Sequence, residues 1–110
     1  MGDASTQTFE GELDRVVERI VEAVHPLRII LFGSGARGEM GPDSDVDLLV
    51  VMPEGTHRLD TAGFLHTRFD GIPLSVDVLV ATPSDLERYR DSIGLVYYVI
   101  LREGKELYAA

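Results

Sequence analysis

Two apolar runs of strand length, RIILF (Arg28–Phe32) and DVDLLVVM (Asp45–Met52), flank twelve residues that hold four glycines and a proline. A stretch with that many conformational breakers turns and propagates neither helix nor strand. The three segments therefore read as strand, glycine-rich loop, strand. The second strand opens on Asp45 and Asp47, which alternate with Val46 and Leu48. A period of two places both carboxylates on one face, about 6.5–7 Å apart at Cα.

The remaining chain supplies what such strands need for burial. Phe9, Leu13, Val16, Val17, Ile20, Val21 and Val24 recur at helical intervals, with Glu12, Asp14, Arg15, Glu18, Arg19 and Glu22 on the other side. His25-Pro26 ends this helix, because the residue before proline is pushed out of the α region. Leu59, Ala62, Leu65 and Phe69 predict a second helix, and LSVDVLVA (Leu74–Ala81) a third strand. Thr82 or Ser84 caps a helix over about 83–91, with Pro83 near its first turn. Ile93, Val96, Tyr97, Ile100 and Leu101 form a last helical face, and Glu106–Tyr108 a short final strand. The expected fold class is α/β (α+β), a mixed sheet of three to four strands flanked by helices. The expected organisation is a flexible N-terminus over 1–8 and a single domain over 9–110.

Charge narrows the function. Ten basic residues against nineteen acidic ones give a net charge of −9. Nucleic-acid affinity rests on neutralising phosphates with basic side chains, so no nucleic-acid partner is expected. Lys105 is the only lysine, which excludes a phosphate loop built around one. There are no cysteines, hence no disulfide, thiolate zinc site or cysteine nucleophile. No apolar run reaches the length of a membrane span and no signal-peptide pattern is present, so the expected location is cytoplasmic and off the membrane. His25, His57 and His66 lack metal-ligand spacing and read as surface or packing residues.

The acids carry the chemistry. Asp45 and Asp47 repel one another unless a cation lies between them, and Mg²⁺ suits carboxylates, water and substrate phosphates. Asp77 stands within the apolar run LSVDVLV, where an unpaired carboxylate is costly to bury. With its strand beside that of Asp45 and Asp47, three carboxylates would converge to hold the paired ions of phosphoryl or nucleotidyl transfer. A calcium loop is the rival, with Asp43, Asp45, Asp47 and Glu54 at positions 1, 3, 5 and 12 of the pattern. Leu48 replaces its turn glycine, and that reading fails. Gly33-Ser34 follows the first strand directly. Glycine lets the backbone approach a phosphate, Ser34 adds a hydroxyl donor and Arg37 a cation, or else Arg37 pins the loop to an aspartate.

Gly33-Ser34, ten residues, then Asp45-Val46-Asp47 resembles the G-S-x10-D-x-D signature of the nucleotidyltransferase (DNA polymerase beta) superfamily. The run LFGSGARGEMGPDSDVDLLVV and the tail REGKELY are similar to minimal nucleotidyltransferase (MNT) domains, antitoxin partners in HEPN/MNT toxin–antitoxin modules. The resemblance implies metal-binding roles for Asp45 and Asp47. It implies for Asp77 the third acid, which ligates metal and helps activate a hydroxyl. It further implies that Gly33, Ser34 and Arg37 hold the nucleotide phosphates. Gly35 departs from the pattern, which often carries a longer, basic residue there.

The expected activity is then transfer of AMP from ATP, with two Mg²⁺ ions, to a hydroxyl of a cognate HEPN toxin. That acceptor is expected to be a tyrosine, and the two proteins to form a hetero-oligomer. Two rivals are an acidic antitoxin that masks a basic toxin surface without turnover and a transferase acting on an antibiotic-like hydroxyl. Clustered acids have no use in pure masking, and the small size leaves little chain for a small-molecule pocket.

Overall fold

The computed structural model describes residues 9–33, 45–89 and 96–110. In chain order these form α1 (Phe9–Val24), β1 (Arg28–Phe32), β2 (Asp45–Val51), α2 (Arg58–His66), β3 (Ser75–Ala81), α3 (Pro83–Tyr89), α4 (Val96–Glu103) and β4 (Lys105–Ala109). The sheet order is β3-β2-β1-β4. β1 runs antiparallel to both β2 and β4, whereas β2 and β3 are parallel.

β2 is central and buried on both faces, as its unbroken LLVV run requires. Val46, Leu48 and Val50 pack with Leu13, Val16 and Ile20 of α1 and Leu65 of α2. Leu49 and Val51 point the other way, onto Leu86 of α3 and Ile100 of α4. Leu48, Leu49 and Val50 are completely shielded from solvent, and each such side chain stabilises the fold by about 1.5–3 kcal/mol. The sheet thus separates two helical layers. At the end where β2 and β3 begin, the α3/α4 face carries acids instead of apolar residues.

α1 follows its 3.6-residue pattern, with Val16 and Ile20 wholly buried. His25 closes it in the left-handed region at φ 50°, where its N–H donates to the Val21 carbonyl at 3.0 Å. That is a left-handed helix end ahead of Pro26. Glu12 departs from the sequence reading: it is buried, not on the solvated face. Arg15 Nη1 donates to its Oε1 at 2.8 Å, which compensates the charge.

α2 stops at His66, short of the expected Phe69, and α3 carries the anticipated cap in fuller form. The Thr82 N–H and hydroxyl each donate to Asp85 Oδ2 at 3.0 Å, and the Asp85 N–H reaches back to Thr82 Oγ1 at 3.4 Å. Pro83 begins the helix, so this is a capping box with proline in its first turn. Glu54 accepts from the Ser84 N–H and hydroxyl at 2.7 and 2.8 Å, tying the turn after β2 to α3. Between α4 and β4, Gly104 fits where no side chain does. A Cβ there would lie 2.5 Å from the Ile100 carbonyl oxygen and 2.6 Å from Ile30 Cγ2.

Candidate active site

The parallel pairing of β2 with β3 aligns Asp45 with Ser75 and Asp47 with Asp77. Neighbouring strands lie about 4.8 Å apart, and residues paired in a parallel ladder share a face. Asp47 and Asp77 are therefore side by side on the α3/α4 face, Asp47 half-buried and Asp77 exposed. Residue 45 stands two positions earlier in β2; its side chain lies outside the described residues, as do Ser34 and Arg37.

Gly33 closes on the same place. β1 pairs Phe32 with Asp47, so the chain leaves β1 directly over the carboxylate. Gly33 takes φ +73°, and a Cβ built on it would fall 2.7 Å from Asp47 Oδ2. Both facts demand glycine: the left-handed backbone strains other residues, and the space of the missing side chain belongs to the acid. Of the six residues read as site residues from the sequence, the structure brings together Gly33, Asp47 and Asp77, with the backbone of residue 45 beside them.

These groups fit a divalent cation. Two carboxylates in adjacent register offer hard oxygen donors to an ion such as Mg²⁺ and relieve their mutual repulsion by sharing it. Among the described residues no three acids or histidines alone make a complete cage. Mg²⁺ commonly takes one or two carboxylates and completes its shell with water and phosphate oxygens.

Further along β3 a cleft of about 570 Å³ is lined by Thr56, His57, Arg58, Leu59, Leu79, Val80 and Tyr97. Leu79 is two residues beyond Asp77 and faces the same side of the sheet. Arg58 Nη1 is held 3.1 Å from Asp85 Oδ2. Burial pushes the Asp85 carboxyl upward, but hydrogen bonds from Thr82 and the Arg58 charge outweigh it and hold the group below its ordinary 3.8. Tyr97 stacks on Tyr89 with ring centroids 6.0 Å apart. Its burial, then the Asp85 charge, raises its phenol above the ordinary 10.0, so it remains a neutral donor.

Sequence reading missed this cleft. Arg58 and Asp85 meet only in three dimensions, and the one local signal was the Thr82-x-x-Asp85 spacing of the cap. Leu59, 82% exposed at the rim, looked like an ordinary member of a helical apolar stripe.

The nucleotidyltransferase domain family matches residues 13–108, and the chain belongs to it. Domains of this family generally use a nucleoside triphosphate and a divalent metal. The fold is similar to the crystal structure of a provisionally named nucleotidyltransferase from Sulfolobus solfataricus. The TM-score is 0.59 at 22% identity, over 89% of this chain and 78% of that one. Among curated proteins none is significantly similar. No helix among the described residues is long and apolar enough to cross a membrane.

Proposed function

We propose that the protein transfers AMP from ATP to a tyrosine hydroxyl of a cognate HEPN-type toxin, and so serves as its antitoxin. The observation that carries the transfer is the register of Asp47 against Asp77 with Gly33 closed over the former. Asp47, with Asp45 before it in β2, would hold Mg²⁺. Gly33 would let the triphosphate approach the backbone, and Ser34 and Arg37 follow it in sequence as further phosphate donors. When bound, the ion neutralises phosphate charge and lowers the pKa of an attacking hydroxyl.

Of the two paired acids Asp77 is the more exposed and shares β3 with the cleft-lining Leu79, so it would receive the acceptor's proton. The acceptor oxygen forms a bond to the α-phosphorus, the bond from that phosphorus to its bridging oxygen breaks, and pyrophosphate leaves with the electron pair. The cleft beside Leu79 and Tyr97 has room for an aromatic side chain reaching in from a protein surface. The MNT-like motif run and tail support the choice of a toxin as acceptor, and the net charge of −9 speaks against a polynucleotide.

The test incubates the protein with ATP, Mg²⁺ and the product of the neighbouring gene, then weighs that product. A gain of one or more AMP units, lost with Asp45→Asn or Asp47→Asn, is expected. An unmodified yet inhibited partner would instead assign neutralisation by binding alone.

A further inference from the structure

A second surface lies on the other side of the sheet. Val17, Val21 and Tyr108 floor a groove of about 440 Å³ between α1 and β4, and Glu18 and Glu22 form its rim. The rim continues a row. Glu10, Asp14, Glu18 and Glu22 recur every fourth residue along α1 and all four are exposed, which sets a carboxylate about every 6 Å along the helix.

This row works against the helix that carries it. Like charges four residues apart destabilise a helix. Glu22 lies in the last turn, where a negative charge opposes the helix dipole, and no basic residue offsets it there. The two arginines of α1 are directed elsewhere: Arg15 to Glu12 at 2.8 Å, and Arg19 to the carbonyls of Arg68 and Asp70 at 2.8 and 3.0 Å. The positive charge that would settle the row is not supplied by α1 itself.

We propose that this groove docks an amphipathic basic helix of a protein partner. Its apolar stripe would lie on Val17, Val21 and Tyr108, and its Lys/Arg row, also spaced four apart, against Asp14, Glu18 and Glu22. Charge chooses the occupant: a second copy of a chain at −9 would bring acid to acid. Strand addition is the poorer fit, because the neighbouring β4 is five residues long, begins with Lys105 and pairs with β1 through an irregular register. Each of these features discourages edge pairing, whereas an apolar floor with a charged rim suits a helix. The surface shares no residue with Gly33, Asp47 or Asp77, so the inference stands whether or not AMP transfer occurs.

The probe is a synthetic 18-residue helical peptide with leucines on one stripe and lysines at four-residue spacing beside it. Its binding to the full chain is followed by fluorescence anisotropy and amide chemical shifts. Expected are saturable binding, shifts confined to α1 and β4, and about tenfold or greater weakening in Glu18→Lys/Glu22→Lys. The control Asp60→Lys/Glu103→Lys, with the same change in net charge, should retain most of the affinity. A peptide with serine for leucine should also bind about tenfold less tightly. Thermal melting of both variants confirms folding, and ATP affinity should be unchanged in each. The inference is overturned by no saturable binding below about 1 mM, equal weakening in the control, or equal binding of the serine peptide. Shifts elsewhere, or self-association of the chain that the rim variant abolishes, would overturn it too.

Discussion

A methyl group at position 33 would sit 2.7 Å from Asp47 Oδ2, so the glycine and the carboxylate occupy complementary space. Gly33→Ala must therefore displace the acid as well as strain a backbone at φ +73°. We expect a stability loss of about 1–2 kcal/mol, read as a lower urea midpoint. Metal-dependent ATP affinity, measured by calorimetry, should fall by about tenfold or more.

Asp47 and Asp77 carry like charges in direct register. Without divalent ions, Asp77→Asn should raise the melting temperature, because like charges paired across strands are destabilising. The increment in melting temperature on adding Mg²⁺ should shrink in the same variant. A parent protein whose melting is indifferent to Mg²⁺ and ATP would contradict the site.

The Asp85 carboxyl lies below its ordinary value in the folded protein. Its contribution is present above about pH 4 and is lost as pH falls through the lowered value, because the unfolded chain then binds the proton more readily. Asp85→Asn should cost about 0.5–2 kcal/mol at pH 7 through the weakened cap. The difference between variant and parent should narrow as pH falls below the ordinary carboxylate value of 3.8, measured by urea titration at each pH.

Gly104 is confined by the Ile100 carbonyl, Ile30 and Leu31. Gly104→Ala should destabilise by about 1–3 kcal/mol, the usual cost of overpacking. The denaturant midpoint should fall with an unchanged slope.

Much of this was legible along the chain. Alternation and uninterrupted apolar runs marked the three principal strands, and helical spacing marked α1 from Phe9 to Val24. The lone Asp77 in an apolar strand stood out because burial would penalise such a group, although the fold leaves its side chain exposed at the edge strand. The parallel direction of β3 was less accessible, since it depends on how residues 52–74 cross the sheet. Glu12 looked solvated because its burial is set by tertiary neighbours, not by its place in the helical repeat. Arg58, Asp85 and Tyr97 come from three different helices; side chains brought together only by folding leave no local signature.

The parallel alignment of β2 and β3 leaves the crossover between them unconstrained by the site. Because both strands start at the same end of the sheet, their acids coincide through hydrophobic register and not through the geometry of a tight hairpin. The crossover between them can lengthen, shorten or change sequence while the two carboxylates keep their places. Thr56, His57, Arg58 and Leu59 of that crossover line the neighbouring cleft, so one wall of the cleft can change shape and charge without moving the paired acids.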